Sequence, residues 1–279
     1  MDLQKILTKV NEILPTQPAV RFTIEKCDQK LGLFDSKIGG TPYFPKDMEY
    51  PTGRKNEFDG QPLTLLAQLN FEQLPHIPDF PEKGILQFFI AGDDLYGMAA
   101  DYSEMASEDN FRVIYHEDII TDETKLLSEN EIPKFTGDEE LLPFTGEYLL
   151  KAHEAELIPA NVCDYRFGNA FVKCYNETAD EPIESIWDID EETYNEIYND
   201  EEAVEAFFGG YPVFTQDDPR SEDRLSEFDV VLFELDSCYD DDKGIDICWG
   251  DAGTGTFMIP RDRLKALDFS RVLYNYDCC

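Results

Sequence analysis

Two stretches of the chain, SKIGGTPYFP from Ser36 and GGYPVFTQDDP from Gly209, carry a double glycine, a proline and an aromatic in the same order. The landmarks behind them recur as well. Gly39-Gly40 and Pro42 are followed by LLAQL at 65–69 and GILQFFI at 84–90, while Gly209-Gly210 and Pro212 are followed by LFELD at 232–236 and GTGTFMI at 253–259. The interval from Gly40 to Gly84 differs by one residue from that between Gly210 and Gly253, and Phe88 and Ile90 correspond to Phe257 and Ile259. Common turn residues seldom match in spacing and in apolar neighbours together. The expectation is a duplicated β-rich unit, each copy comprising a Gly-Gly loop, a strand and a hairpin returning to a strand. Two such copies can pair about a pseudo-twofold axis with a cleft between them. Residues 1–279 then form a single compact domain built from two similar halves, about 20–140 and 180–279.

The rest of the chain reads as α+β, mainly antiparallel. Leu3, Ile6, Leu7, Val10, Ile13 and Leu14 follow a helical stripe that Pro15 stops. From Val20 to Ile90, short runs (AVRFTIEKC, LTLLAQLNF, GILQFFI) are separated by Pro and Gly, and prolines at 42, 45, 51, 62, 75, 78 and 81 exclude long helices. FRVIYHEDI and FVKCYNE are strand candidates bracketing a helix near GEYLLKAHEAEL. Acidic amphipathic helices are expected before the second copy, through Ile189, Tyr194, Ile197, Tyr198, Val204, Phe207 and Phe208, with Gly209 as C-cap. DVVLFELDS and GIDICWGDAGTGTFMI read as a hairpin across YDDDKG, Pro260 opens a short helix, and RVLYNYDCC alternates like a last strand.

A hydrophobic fraction of 42%, with 20 Phe and 14 Tyr, supplies a core, so the formal charge of −37 belongs to a folded protein rather than a disordered acidic chain. Both halves are acidic. Such a field repels nucleic acid and anionic lipid and attracts a basic protein or a cation, and it also maintains solubility. Cys27, Cys163, Cys174, Cys238, Cys248, Cys278 and Cys279 are odd in number and in no C-x-x-C arrangement, which fits reduced thiols in a cytosol. MDLQKILTKVNEIL does not read as a targeting segment, nothing approaches the length of a membrane span, and the terminal cysteine pair lacks the basic flank of a lipid anchor.

Catalytic signatures are absent: no G-x-S-x-G, H-E-x-x-H or G-x-x-x-x-G-K-[ST] occurs, and GDAGTGTF lacks the following helix a phosphate loop requires. No spacing brings His76, His116 or His153 to a cysteine. Asp236, Asp240, Asp241, Asp242, Asp246 and Asp251 crowd one segment, yet an EF-hand register from Asp240 puts Gly244 where a ligand belongs. The hairpin Asp240–Asp246 therefore reads either as a cation site or as a solvated tip whose charges protect a sheet edge. The candidate ligand site is CWGDAG: a Trp249 platform and the Asp251 carboxylate, near Gly39 and Gly40, with Lys37, Gln68 and Gln216 supplying hydrogen bonds. Equally, Trp249 belongs to the core and Asp251 caps a turn. No cofactor and no metal are assigned.

The ordered blocks KIGGTPYFP, Tyr50-Pro51, PLTLLAQLNFEQLP, PEKGILQFFI, GGYPVFTQDDPR and WGDAGTGTFMIPRDRLKALDFSRV are similar to the YwqG-like family of uncharacterised bacterial proteins, from about residue 30 to the C-terminus. Tyr50 stands where that family has tryptophan before proline. The resemblance implies a cytosolic bacterial α+β protein without established activity, sometimes associated with conflict and immunity gene sets. Two functional expectations follow. One is a non-enzymatic, cytoplasmic interaction protein, of immunity type, binding a basic protein partner, with no nucleic acid and no membrane. The other is a small-ligand or metal-binding protein, or an unrecognised enzyme, using a cleft between the halves.

Overall fold

The computed structural model describes residues 2–135, 141–179, 181–199, 205–221 and 223–279. Helix α1 (Leu3–Ile13) forms where its apolar period places it: Asp2 accepts from the Lys5 amide at 3.2 Å, and Leu3, Ile6 and Val10 are buried. It packs with α2 (Phe167–Asn176) and α3 (Glu191–Asn199) in a helical layer through Ile6, Val10, Phe171 and Ile197. The short α4 (Arg261–Lys265) begins after Pro260, as expected.

The described strands are β1 (Gln17–Glu25), β2 (Lys37–Gly39), β3 (Thr64–Asn70), β4 (Ile85–Ile90), β5 (Phe111–His116), β6 (Glu147–Ala152), β7 (Glu156–Ile158), β8 (Ala206–Gly209), β9 (Val230–Asp236), β10 (Cys238–Asp240), β11 (Ile245–Ile247), β12 (Thr254–Ile259) and β13 (Leu273–Asp277). Eleven of them form one antiparallel sheet in the order β13-β12-β9-β8-β1-β6-β2-β3-β4-β5, with β7 also on β1. β10 and β11 form the small acidic hairpin. The large sheet curls into a nearly closed barrel, because the inner faces of its two arms are aromatic and bury each other. Phe88 of one arm meets Phe233 and Phe257 of the other at 5.2 and 4.8 Å between ring centres, and Phe111 meets Tyr274 at 5.2 Å.

The arms β2-β3-β4-β5 and β8-β9-β12-β13 flank β1 and β6 and share local details. Against β4, β3 skips Leu66 (Leu65 pairs with Phe89, Ala67 with Phe88). Against β12, β9 skips Leu232 (Val231 pairs with Met258, Phe233 with Phe257). These bulges sharpen the bend of each arm. On the outer face Phe44 covers Leu65 and Phe89, and Phe214 packs with Val231 and Met258. Each Gly-Gly pair leaves its strand with positive φ, 64° and 71° at Gly39 and Gly40, and 75° and 67° at Gly209 and Gly210. A Cβ on Gly39 would lie 2.4 Å from the Gly146 carbonyl oxygen, so only glycine fits that turn.

Three expected elements are of another type. GEYLLKAHEAEL forms β6 and β7 rather than a helix, because pairing on both sides with β1 and β2 outweighs its helical propensity. FVKCYNE belongs to α2, where Phe167, Ala170, Phe171 and Cys174 make a helical buried face. Phe207, Phe208 and Gly209 lie in β8 paired with β1, so Gly209 ends a strand instead of capping a helix, and Val204 lies outside the described residues.

Candidate functional site

The first Gly-Gly loop is held from beneath by buried polar side chains. Lys37 is wholly buried and its Nζ donates to Gly32 O and Thr41 O, each at 2.6 Å. Burial lowers its pKa to about 8, with Glu147 and Asp35 opposing that shift. Gln68 Oε1 accepts from the Tyr43 amide at 2.9 Å, while its Nε2 donates to Leu33 O and Asp35 O. Gln87 Nε2 adds a bond to Gln68 Oε1, and its own Oε1 meets His116 Nε2 at 2.9 Å. Burial pushes His116 down to about 4, so it is neutral above acid pH.

In the second arm Glu234 occupies the corresponding place. It pairs with Phe207 as Gln68 pairs with Lys37, and its Oε1 accepts from the Val213 amide at 3.0 Å, three residues past Gly210 as Tyr43 is past Gly40. Thr256 Oγ1 donates to its Oε2 at 3.2 Å. Only 2% of Glu234 is exposed, and burial raises its pKa well above the ordinary carboxylate range, with Asp236 and Asp277 adding to the rise. Asp277, pushed up to about 6 first by burial, accepts from the Gln216 amide through Oδ2 at 2.7 Å, while its buried Oδ1 has no partner. The two arms thus hold their loops alike, one with an amide and one with an acid.

Trp249 is wholly buried in the main core against Tyr96 and Tyr276, and a Cβ on Gly255 would meet its ring at 2.4 Å. Asp251 is exposed, and its carbonyl accepts from the Cys279 amide at 3.4 Å. Gln216 Nε2 bonds Cys278 O. The structure therefore gathers Lys37, Gly39, Gly40 and Gln68 at one loop, and brings Gln216, Trp249 and Asp251 to the C-terminal strand of the other arm. In the acidic hairpin Asp240 is tied to Lys243 and Asp241 accepts from Tyr239, and among the described residues no three His, Cys, Asp or Glu side chains converge as metal ligands.

Each Gly-Gly loop borders a cavity. Gly40, Thr41 and Pro42 line an open one of about 770 Å³ with Lys26, Lys30 and Lys134, and Gly210, Tyr211 and Pro212 line one of about 330 Å³ with Arg166 and Arg261. A third, mainly apolar and of about 220 Å³, lies between α1 and the barrel, with Leu7, Val10, Phe167, Ile197 and Phe207 in its walls. The guanidiniums are held by carboxylates: Arg166 by Asp164, Arg261 by Asp79 and Asp229, and the buried Arg220 by Asp164 and Asp218 at 2.9 and 2.6 Å.

Sequence reasoning missed Glu234 and Asp277, which look like ordinary acids in a chain rich in them. A signal existed: shifting the second copy by one residue, so that LAQL at 66–69 meets LFEL at 232–235, sets Glu234 against Gln68. A family model described as a domain of unknown function, DUF1963, matches residues 36–278. No curated protein matches the chain.

Proposed function

We propose, for a chain that belongs to the DUF1963 family of unknown function, that it is a non-enzymatic binding protein whose acidic surface receives a basic protein partner. The observation that carries this reading is how the charge is distributed. There are 60 acidic and 23 basic side chains, and Arg112, Arg166, Arg220, Arg261, Arg263 and Arg271 are each engaged by a carboxylate of the same chain. The unmatched charge facing solvent is therefore negative. The groups with shifted acidity argue in the same direction, because Lys37, His116 and Glu234 are sealed beneath loops where no substrate reaches them. The ordered motifs favour the YwqG-like branch, a duplicated β-rich unit, and a cytoplasmic setting of the immunity type. Affinity capture from the native lysate at low and high salt tests the reading. Basic proteins recovered at low salt and released by salt are expected, and recovery of none refutes it.

A second reading rests on the cavities beside the Gly-Gly loops: a small ligand held against Gly40, Thr41 and Pro42 or against Gly210, Tyr211 and Pro212, with the expected Lys37, Gly39 and Gln68 supporting the first loop from beneath and Gln216, Trp249 and Asp251 outside both linings. Thermal-shift screening with metals and metabolites tests it, since a ligand that binds only the folded state raises Tm. No shift with any compound removes this reading.

A further inference from the structure

Between Glu181 and Tyr198 the chain has seven acidic residues and no lysine or arginine. The segment is built firmly. Ser185 and Asp188 form a reciprocal cap on the turn Ile186–Asp188, and Asp190 caps α3 by accepting from the Thr193 amide and hydroxyl at 2.9 and 2.8 Å. Ile197 anchors the inner side of α3, buried in the helical layer. On the outer side three rings stack in sequence: Trp187 on Tyr194 at 5.0 Å and 30°, and Tyr194 on Tyr198 at 6.3 Å and 14°. Trp187 is 73% exposed and Tyr198 50%. Asp188 and Asp190 are spent on caps, while Glu181, Glu184, Glu191, Glu192 and Glu196 are exposed, Glu191 on the same side of α3 as Tyr194 and Tyr198 and Glu192 and Glu196 on another.

We infer that this aromatic stack, carried on an acidic segment free of lysine and arginine, forms the docking site for an arginine-bearing segment of the basic partner, an inference that rests on the proposed function. Exposed tryptophan is costly to leave in water and is the residue type that concentrates binding energy in interfaces. Its π-face attracts a cation, and a planar guanidinium stacks on it flat while still donating in-plane to neighbouring carboxylates. A lysine ammonium, a strongly hydrated point charge, satisfies the carboxylates and loses most of the stacking. The site is thus selective for arginine over lysine, which a uniformly acidic surface is not.

The test uses the full chain and two labelled peptides of equal length and charge, one alternating arginine with glycine and one alternating lysine with glycine, followed by anisotropy at low salt. Emission gives a second readout: Trp249, the other tryptophan, is wholly buried, so peptide-induced quenching reports Trp187. The arginine peptide is expected to bind several-fold tighter than the lysine peptide, to quench emission, and to lose about fivefold in affinity with Trp187→Ala. Tyr239→Ala, which removes a 70% exposed ring beside the acidic hairpin, is expected to leave binding unchanged. Equal affinity for the two peptides, an effect of Trp187→Ala below twofold, or a larger effect of Tyr239→Ala overturns the inference. Those failures leave the basic-partner reading standing, because salt-sensitive capture of basic proteins is measured separately. An unchanged Tm of Trp187→Ala is expected, and a collapsed fold is circumvented by Trp187→Phe, which keeps a weaker ring and is expected to bind at intermediate strength.

Discussion

Replacing Glu234 by Gln should stabilise the protein at neutral pH. The carboxyl is 2% exposed, and burial raises its pKa well above the ordinary glutamate value, with Asp236 and Asp277 contributing in the same direction. Between the unfolded and the folded values the unfolded chain holds fewer protons, so folding stability falls as pH rises through that window. The fall is about 1.4 kcal/mol for each pH unit between those two values. A glutamine keeps the acceptor for the Val213 amide, as Gln68 keeps it for Tyr43, and has no proton to lose. The variant should therefore match the wild type near pH 4 and exceed it by a margin that grows as pH rises toward neutrality. Urea unfolding at a series of pH values measures this. A variant less stable than the wild type at pH 7, or a difference independent of pH, would refute the account of Glu234 as a buried acid acting in an amide's place.

Asp277→Asn should behave similarly over a different window. Its pKa rises from 3.8 to about 6, so the variant gains up to about 3 kcal/mol above pH 6 and nothing below pH 4, read by the same titration. Gln68→Glu removes the donors to Leu33 O and Asp35 O and puts an acid under the first loop, so a loss of about 3 kcal/mol is expected in denaturant melts. Gly39→Ala and Gly60→Ala form a contrasting pair, since both positions have positive φ but a Cβ meets backbone, the Gly146 carbonyl oxygen, only at Gly39. The second should cost about 1 kcal/mol and the first clearly more, compared by thermal denaturation. Arg220→Ala removes the buried guanidinium that bridges Asp164 and Asp218, leaving Asp164 only its pair with Arg166, and should cost about 3 to 5 kcal/mol in denaturant melts.

Local pattern made much of the fold legible. The stripe from Leu3 to Leu14 specifies α1 because one face of a helix is enough to bury those side chains. The proline-spaced apolar runs specify β1, which alternates, and β3 and β4, whose continuous apolar runs are buried on both faces. The failures also have local causes. LLKAHEA is rich in helix formers, and only the partners on either side, β1 and β2, make it a strand. Arg166, the N-cap of α2, makes no side-chain capping bond, so no cap announces that helix, although Phe167, Ala170, Phe171 and Cys174 fall at helical spacing. Phe207 and Phe208 continue an acidic amphipathic pattern, yet pairing with Arg21 and Val20 takes them into the sheet.

Gly39-Gly40 and Gly209-Gly210 marked, without any structure, where two turns stand, because positive φ and close backbone approach are properties of a few consecutive residues. What surrounds those turns was decided only by tertiary structure. The sequence places Glu234 in an apolar strand and Asp241 in a charged turn, but only packing shows that the first is sealed under Val213 with its pKa moved well above the ordinary carboxylate range, while the second lies exposed in a hairpin tip. Trp187 and Trp249 are likewise the same side chain with opposite fates, one 73% exposed and one wholly buried. Burial is the sum of contacts from strands distant in sequence, and it sets both the acidity of a carboxyl and the availability of a ring, so function in this chain is written in its packing.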